Sequence, residues 1–192
     1  GSVDLNWAFS GSVVAMKLLR VKLRKESISR EIIRGGRGSL NAVWEMMNST
    51  VSSDREEMCL FVTRYLEVLY TFRNETLYFD DEWKPLVRLM DCGSVKLRLR
   101  AVLAVATLMI HGSLSANNCR IIGVKGIQAL FEAFNLDDGT SEGREAKQKL
   151  PMAIQKLEES LDTTVAMRNE IGIQLASLGA PSKRKENLRE DC

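Results

Sequence analysis

Three short stretches of this chain repeat one another, and the repetition limits the fold more than any other feature. "SREIIRGGRGSLNAVWEMM" runs from Ser29 to Met47, and "NNCRIIGVKGIQALFEAF" from Asn117 to Phe134. Each places a paired Ile before a short Gly-bearing link and then opens an amphipathic helix. Midway lies "DDEWKPLVRLMDCGS". The apolar spines are Leu40, Val43, Met46 and Met47, then Trp83, Leu86, Leu89 and Met90, then Ile127, Leu130, Phe131 and Phe134. Their first anchors stand at residues 40, 83 and 127, a step of about 43 residues. A fixed step of this size in a helical chain marks a solenoid of two or three helices per unit, because no single unit can bury its own apolar face.

The segments between anchors fit the same frame. "REEMCLFVTRYLEVLYTF" carries Leu60, Phe61, Tyr65, Leu66, Leu69 and Phe72 at helical spacing. "VKLRLRAVLAVATLMI" is apolar on nearly all sides, as a helix sandwiched between neighbouring units must be. Its first half alternates apolar and polar residues in a strand-like way, as does "LLRVKLRK". Neither is flanked by hairpin turns, so both are read as helix. Pro85 falls in the first turn of its helix, where a missing N–H costs little. Beyond a polar loop, "LDDGTSEGR", the sequence predicts two further helices broken near Asp162–Thr164, more polar than the rest and suited to a terminal cap. Residues 180–192, "APSKRKENLREDC", have almost nothing to bury and read as a disordered basic and polar tail.

Composition excludes several classes. The chain is 45% hydrophobic and 27% charged, as globular domains are, and its scarcity of proline, three in all, beside plentiful Leu, Ala, Met, Arg, Lys and Glu favours helix. The longest nearly apolar run, Ala101 to Ile110 with Thr107 inside it, is half of the ~20 residues a membrane span needs, and no signal peptide is expected. Four cysteines stand at 59, 92, 119 and 192 with one histidine, His111, and no CxxC pair, which leaves no zinc spacing. No metal or cofactor is expected. The thiols suit a reducing compartment, so the cytoplasm is expected. The tribasic "KRK" at residues 183–185 is the one sequence feature that suggests the nucleus. "RGGRG" lacks both the GK[ST] ending and the preceding strand of a phosphate loop, and reads as an inter-helix turn.

With three junctions in register, the chain resembles the armadillo-repeat family over roughly residues 10–135. "EIIRGGRGSLNAVWEMM", "FDDEWKPLVRLMDCGS" and "RIIGVKGIQALFEAF" are similar to that family's junction into its first helix, and "RAVLAVATLMIHGSLSANNCRII" to the following long helix and its exit. The resemblance implies an all-α fold, a right-handed solenoid of about three repeats over residues 3–179. It also implies that this array is the C-terminal part of a longer one. The third helices of such a solenoid line a concave groove that holds a peptide or another protein. The positions aligned with the family's ligand-gripping Asn hold Arg20, Val68 and Thr107, and those aligned with its Trp hold Met16, Arg64 and Leu103. The Asn ladder is therefore absent, and a groove here must work by other chemistry.

Arg20, Arg24, Arg64, Val68, Thr107 and His111 are the candidate groove residues. The guanidinium groups could pair bidentately with carboxylates of an acidic partner. His111 sits near a helix C-terminus, where its charge is favourable, and no nucleophile or orienting acid accompanies it. Of the three tryptophans, Trp83 lies on a spine and reads as core, Trp44 lies beside one, and Trp7 lies near the start of the chain. The function expected is a non-catalytic adaptor or scaffold, not an enzyme. The alternative is nucleic-acid binding through the basic cluster at residues 17–37, which lacks interleaved aromatics for base stacking. A homodimer through the apolar N-terminal edge (Met16, Leu18, Leu19, Val21, Leu23) is also expected.

Overall fold

The longest helices carry the architecture. In the computed structural model the described residues are 52–73, 83–112 and 114–179. They form α1 (Ser52–Arg73), α2 (Trp83–Leu89), α3 (Val95–His111), α4 (Ala116–Glu132), a 3-10 turn (Ala133–Asn135), α5 (Ser141–Glu159) and α6 (Val165–Gly179). Among the described residues there is no strand, so the fold is all-helical. The strand-like alternation of "VKLRLRAVLAV" resolves as the start of α3. Ser94 caps that helix by accepting from the Leu97 amide.

Helix α3 packs against α1 on one side and α5 on the other, while α2 packs against both α3 and α4, and α4 packs against α6. The three long helices therefore lie in one row and α2, α4 and α6 in another. Every residue of α3 from Leu99 to Met109 is buried. Ala101, Ala104 and Ala106 are the short side chains that let neighbouring helices approach from several directions at once. Spine residues Trp83, Leu86, Leu89, Met90, Ile127, Leu130 and Phe131 are all buried in the same core, as their spacing predicts. Trp83 is core, with its indole Nε1 buried and without a hydrogen-bond partner. The first junction, with Leu40, Trp44 and the N-terminal edge, lies outside the described residues, as do Trp7 and the tail.

Glycine settles two of the joints. Gly123, in the "GVKG" link, has φ 55° and ψ −172° and divides α4 into arms at 116–122 and 124–132. That corner of backbone space is open essentially to Gly alone. Gly143 departs from expectation. The sequence places it in a polar loop, but α5 already begins at Ser141, with the Thr140 hydroxyl accepting from the Gly143 amide. Gly143 is buried there, and only Gly fits, because a β-carbon would collide with the Asp138 carboxylate and lie 3.2 Å from Leu99 Cδ1. The loop is shorter than its composition suggests because Asp138 and Thr140 build a helix cap rather than extending into water.

The break between α5 and α6 falls at residues 160–164, where the sequence puts it. Arg168 holds it: its guanidinium donates to the carbonyl oxygens of Glu158 (2.7 Å), Ser160 (2.7 Å) and Thr163 (3.3 Å), which occupies the open acceptors at the end of α5. Helix α6 does not have the polar outer face of a cap. Only Met167 and Ile171 are buried on it, while Val165, Ile173, Leu175 and Leu178 are exposed.

Gly123 and Gly172 make a matched pair, since a β-carbon would meet nothing within 4 Å at either. Gly123→Ala is expected to lose about 1–3 kcal/mol, because its backbone conformation is closed to L-residues. Gly172→Ala, in the regular helix of α6, is expected to gain about 0.5–1 kcal/mol. Urea denaturation of both variants at dilute concentration measures the two signs.

Candidate functional site

The row of long helices brings together residues far apart in sequence. Arg64 and Glu67 lie one turn apart on α1, Thr107 and His111 on the last turns of α3, and Glu145 and Lys149 on α5. Across that row Lys149 Nζ donates to Glu67 Oε1 at 2.6 Å and to Thr107 Oγ1 at 3.1 Å, and forms an ion pair with Glu145 Oε1 at 3.2 Å. Arg64 reaches Glu67 Oε2 at 2.5 Å and Glu145 Oε2 at 3.4 Å. Two cations and two carboxylates thus close a neutral circuit over three helices. Their side chains are only 20–34% exposed, so water screens the circuit less than it would a surface pair.

The titrations follow from this geometry. Burial alone would push the Glu67 carboxyl up, but the hydrogen bond and charge of Lys149, followed by those of Arg64, hold it below its ordinary value. Burial opposes the charge on Arg64, and its hydrogen bond to Glu67 with the neighbouring carboxylates outweighs that, leaving its pKa raised. His111 is half-buried. Its desolvation, and then the nearby Lys149 charge, lower its pKa against the opposing pull of Glu67. The helix-end position that would favour a charged imidazole is therefore outweighed.

Of the residues singled out from sequence, the structure brings Arg64, Thr107 and His111 together. Arg20 and Arg24 lie outside the described residues, and so does the side chain of Val68. Thr107 is fully buried, with its hydroxyl donating to the Leu103 carbonyl at 2.8 Å. It contributes an acceptor to Lys149 rather than an exposed ligand. Arg64 is engaged with two carboxylates of its own chain. Glu67, Glu145 and Lys149 were not singled out from sequence. Their spacings to Arg64 and to each other, three and four residues, are the in-helix signal that could have marked them. The pairing between helices has no sequence signal.

The arrangement can hold polar groups in fixed positions. The Cys59 thiol is fully buried and pushed up to about 12 by that burial, which keeps it protonated and inert. Cys119 is buried against Thr163 Oγ1 at 3.8 Å. Among the described residues no cluster of His, Cys, Asp and Glu could hold a metal ion. Nor is any described helix long and apolar enough to cross a membrane. On the other row a cleft of about 320 Å³ runs between α2 and α4, floored by Val87, Ile121 and Ile122 and rimmed by Arg88, Asp91 and Lys125. The sequence matches no protein-family model, and no curated protein matches it.

Lys149 is the hub of the circuit. Lys149→Met is expected to cost about 1–2 kcal/mol in urea denaturation. Adding Glu67→Gln should cost less than the sum of the two single changes. Acid should weaken the fold twice. The His111 contribution falls as pH drops below the ordinary value of 6.5, because the unfolded chain takes up the proton first. The Glu67 contribution, present above the ordinary value of 4.5, is lost as pH falls through its depressed folded value. His111→Gln should flatten only the upper of these two slopes in a pH series of denaturation midpoints.

Proposed function

We propose that this chain is a non-catalytic protein-interaction module, an armadillo-like solenoid that binds a partner protein or peptide across the row α1–α3–α5. The carrying observation is the serial packing of those three helices, with one charge circuit laid continuously across them. Their starts at Ser52, Val95 and Ser141 recur at nearly the step of the sequence repeat, as stacked units of one kind require. The circuit gives the surface rigid, pre-oriented donors and acceptors, a low-entropy way to fix a partner's register. Its neutrality favours a partner whose polar groups alternate in sign over one with a run of phosphates, which would need unpaired Lys and Arg.

Met152 supports the same surface. It lies one turn beyond Lys149 on α5, on the circuit's side of that helix, and is 54% exposed. An exposed thioether beside ordered charges suits a partner's apolar anchor. In affinity capture from lysate, Met152→Glu combined with Arg64→Ala should lose a partner that the wild-type chain retains, while Met152→Glu alone leaves the melting temperature unchanged. A partner held equally by wild type and both variants would move binding away from this row.

A further inference from the structure

Helix α6 has an outer face without charge. We propose that this face is a self-association surface, on which α6 of a second copy of this chain packs antiparallel about a two-fold axis. The helix runs "VAMRNEIGIQLASLG", and its buried side, Met167 and Ile171, rests on α4. By helical geometry the opposite side presents Val165, Ala166, Asn169, Gly172, Ile173 and Ala176. All six are exposed, with Val165 at 74% and Ile173 at 63%. The face carries no charge, and its two largest side chains, Val165 and Ile173, are apolar and flank Asn169; an uncharged patch of this kind gains by being covered.

The choice of occupant follows from charge and shape. The one cation of α6, Arg168, is committed to the carbonyl oxygens that end α5. Its one anion, Glu170, accepts from Gln174 Nε2 at 2.8 Å. Neither is placed to recruit a charged partner, and an interfacial membrane helix would need Lys or Arg along its polar side. Residues 180–192 carry Leu188 as their one large aliphatic side chain, too little to cover the face. The face does complement itself. With the two-fold axis level with residues 170 and 171, Val165 lies opposite Ala176 of the second copy and Asn169 opposite Gly172. Ile173 lies beside the second copy's Ala166. Large meets small at each step, the relation an isologous contact requires. A helix of 15 residues is about 22 Å long. One such face buries less than the ~800 Å² per partner of a standard interface, so the dimer dissociates on dilution.

Sedimentation velocity of the full chain across a wide concentration range tests this. The wild-type mass should rise reversibly from monomer towards dimer. Val165→Lys and Ile173→Lys should stay monomeric with unchanged circular dichroism and melting temperature in dilute solution. Gly172→Leu separates self-complementary packing from mere stickiness. It adds exposed apolar surface but fills the slot that receives Asn169, so the proposed dimer should weaken at least about tenfold. A wild-type chain that stays monomeric, association untouched by the Lys variants, or association strengthened by Gly172→Leu would each overturn the proposal.

Discussion

Everything described in this molecule depends on covering α3. An eleven-residue stretch with no exposed side, from Leu99 to Met109, cannot sit at a surface. Each fully buried Leu or Val contributes about 1.5–3 kcal/mol when it leaves water, and together they demand neighbours on every side. Helices α1 and α5 supply two flanks and α2 a third. The joints serve that requirement. Gly143 lets α5 approach Leu99 closely, and Arg98 ties α3 to the end of α2 by donating to the Met90 carbonyl at 3.1 Å and to α4 through Glu132 at 2.7 Å.

The charge circuit is a consequence of the same packing. Once α1 and α5 are pressed onto α3, the half-buried groups along their shared edge have lost much of their water. Each must find a partner or remain costly to bury. Lys149 meets three acceptors, and the buried Thr107 hydroxyl is one of them. The arrangement specifies how the three helices register along their axes, because sliding by one turn would separate all of these contacts. A surface whose polar groups are already fixed is also a good template for recognition, which links the packing of α3 to the proposed binding role. At the other end of α3 the same economy recurs: buried Arg100 pairs with Glu56 at 3.2 Å, and Lys96 shares that carboxylate.

The two rows end differently. Helix α5 turns Gln148, Gln155, Lys156, Glu158 and Glu159 to solvent, so its outer side suits water. Helix α6 buries only Met167 and Ile171 and leaves Val165, Ile173, Leu175 and Leu178 exposed. A unit that is finished on one row and unfinished on the other favours lateral contact through α6, while the surface of the long helices stays free. Self-association there and partner binding across α1–α3–α5 would then be compatible.

Among the described residues, the helices, their order and most of the core are legible in the chain alone. The spines headed by Trp83 and Ile127, the nearly apolar run in α3 and the break near Asp162 could be read from it, because a 3.6-residue period and a local breaker are properties of neighbouring residues. The family resemblance grouped Arg64, Thr107 and His111, and the structure places them near one another with Thr107 buried. Only the tertiary structure decided what those residues do. Whether Arg64 waits for a partner or is held by Glu67 and Glu145 depends on α5 arriving beside α1, and the separation of 81 positions between Arg64 and Glu145 carries no local sign of that. The same is true of Gly143, which reads as a loop residue until Asp138 and Leu99 close around it, and of α6, which reads from sequence as part of a polar cap and instead leaves Val165 and Ile173 exposed. Contacts between helices depend on where rigid elements meet in space, and that is fixed by the sum of the packing rather than by any one stretch of chain.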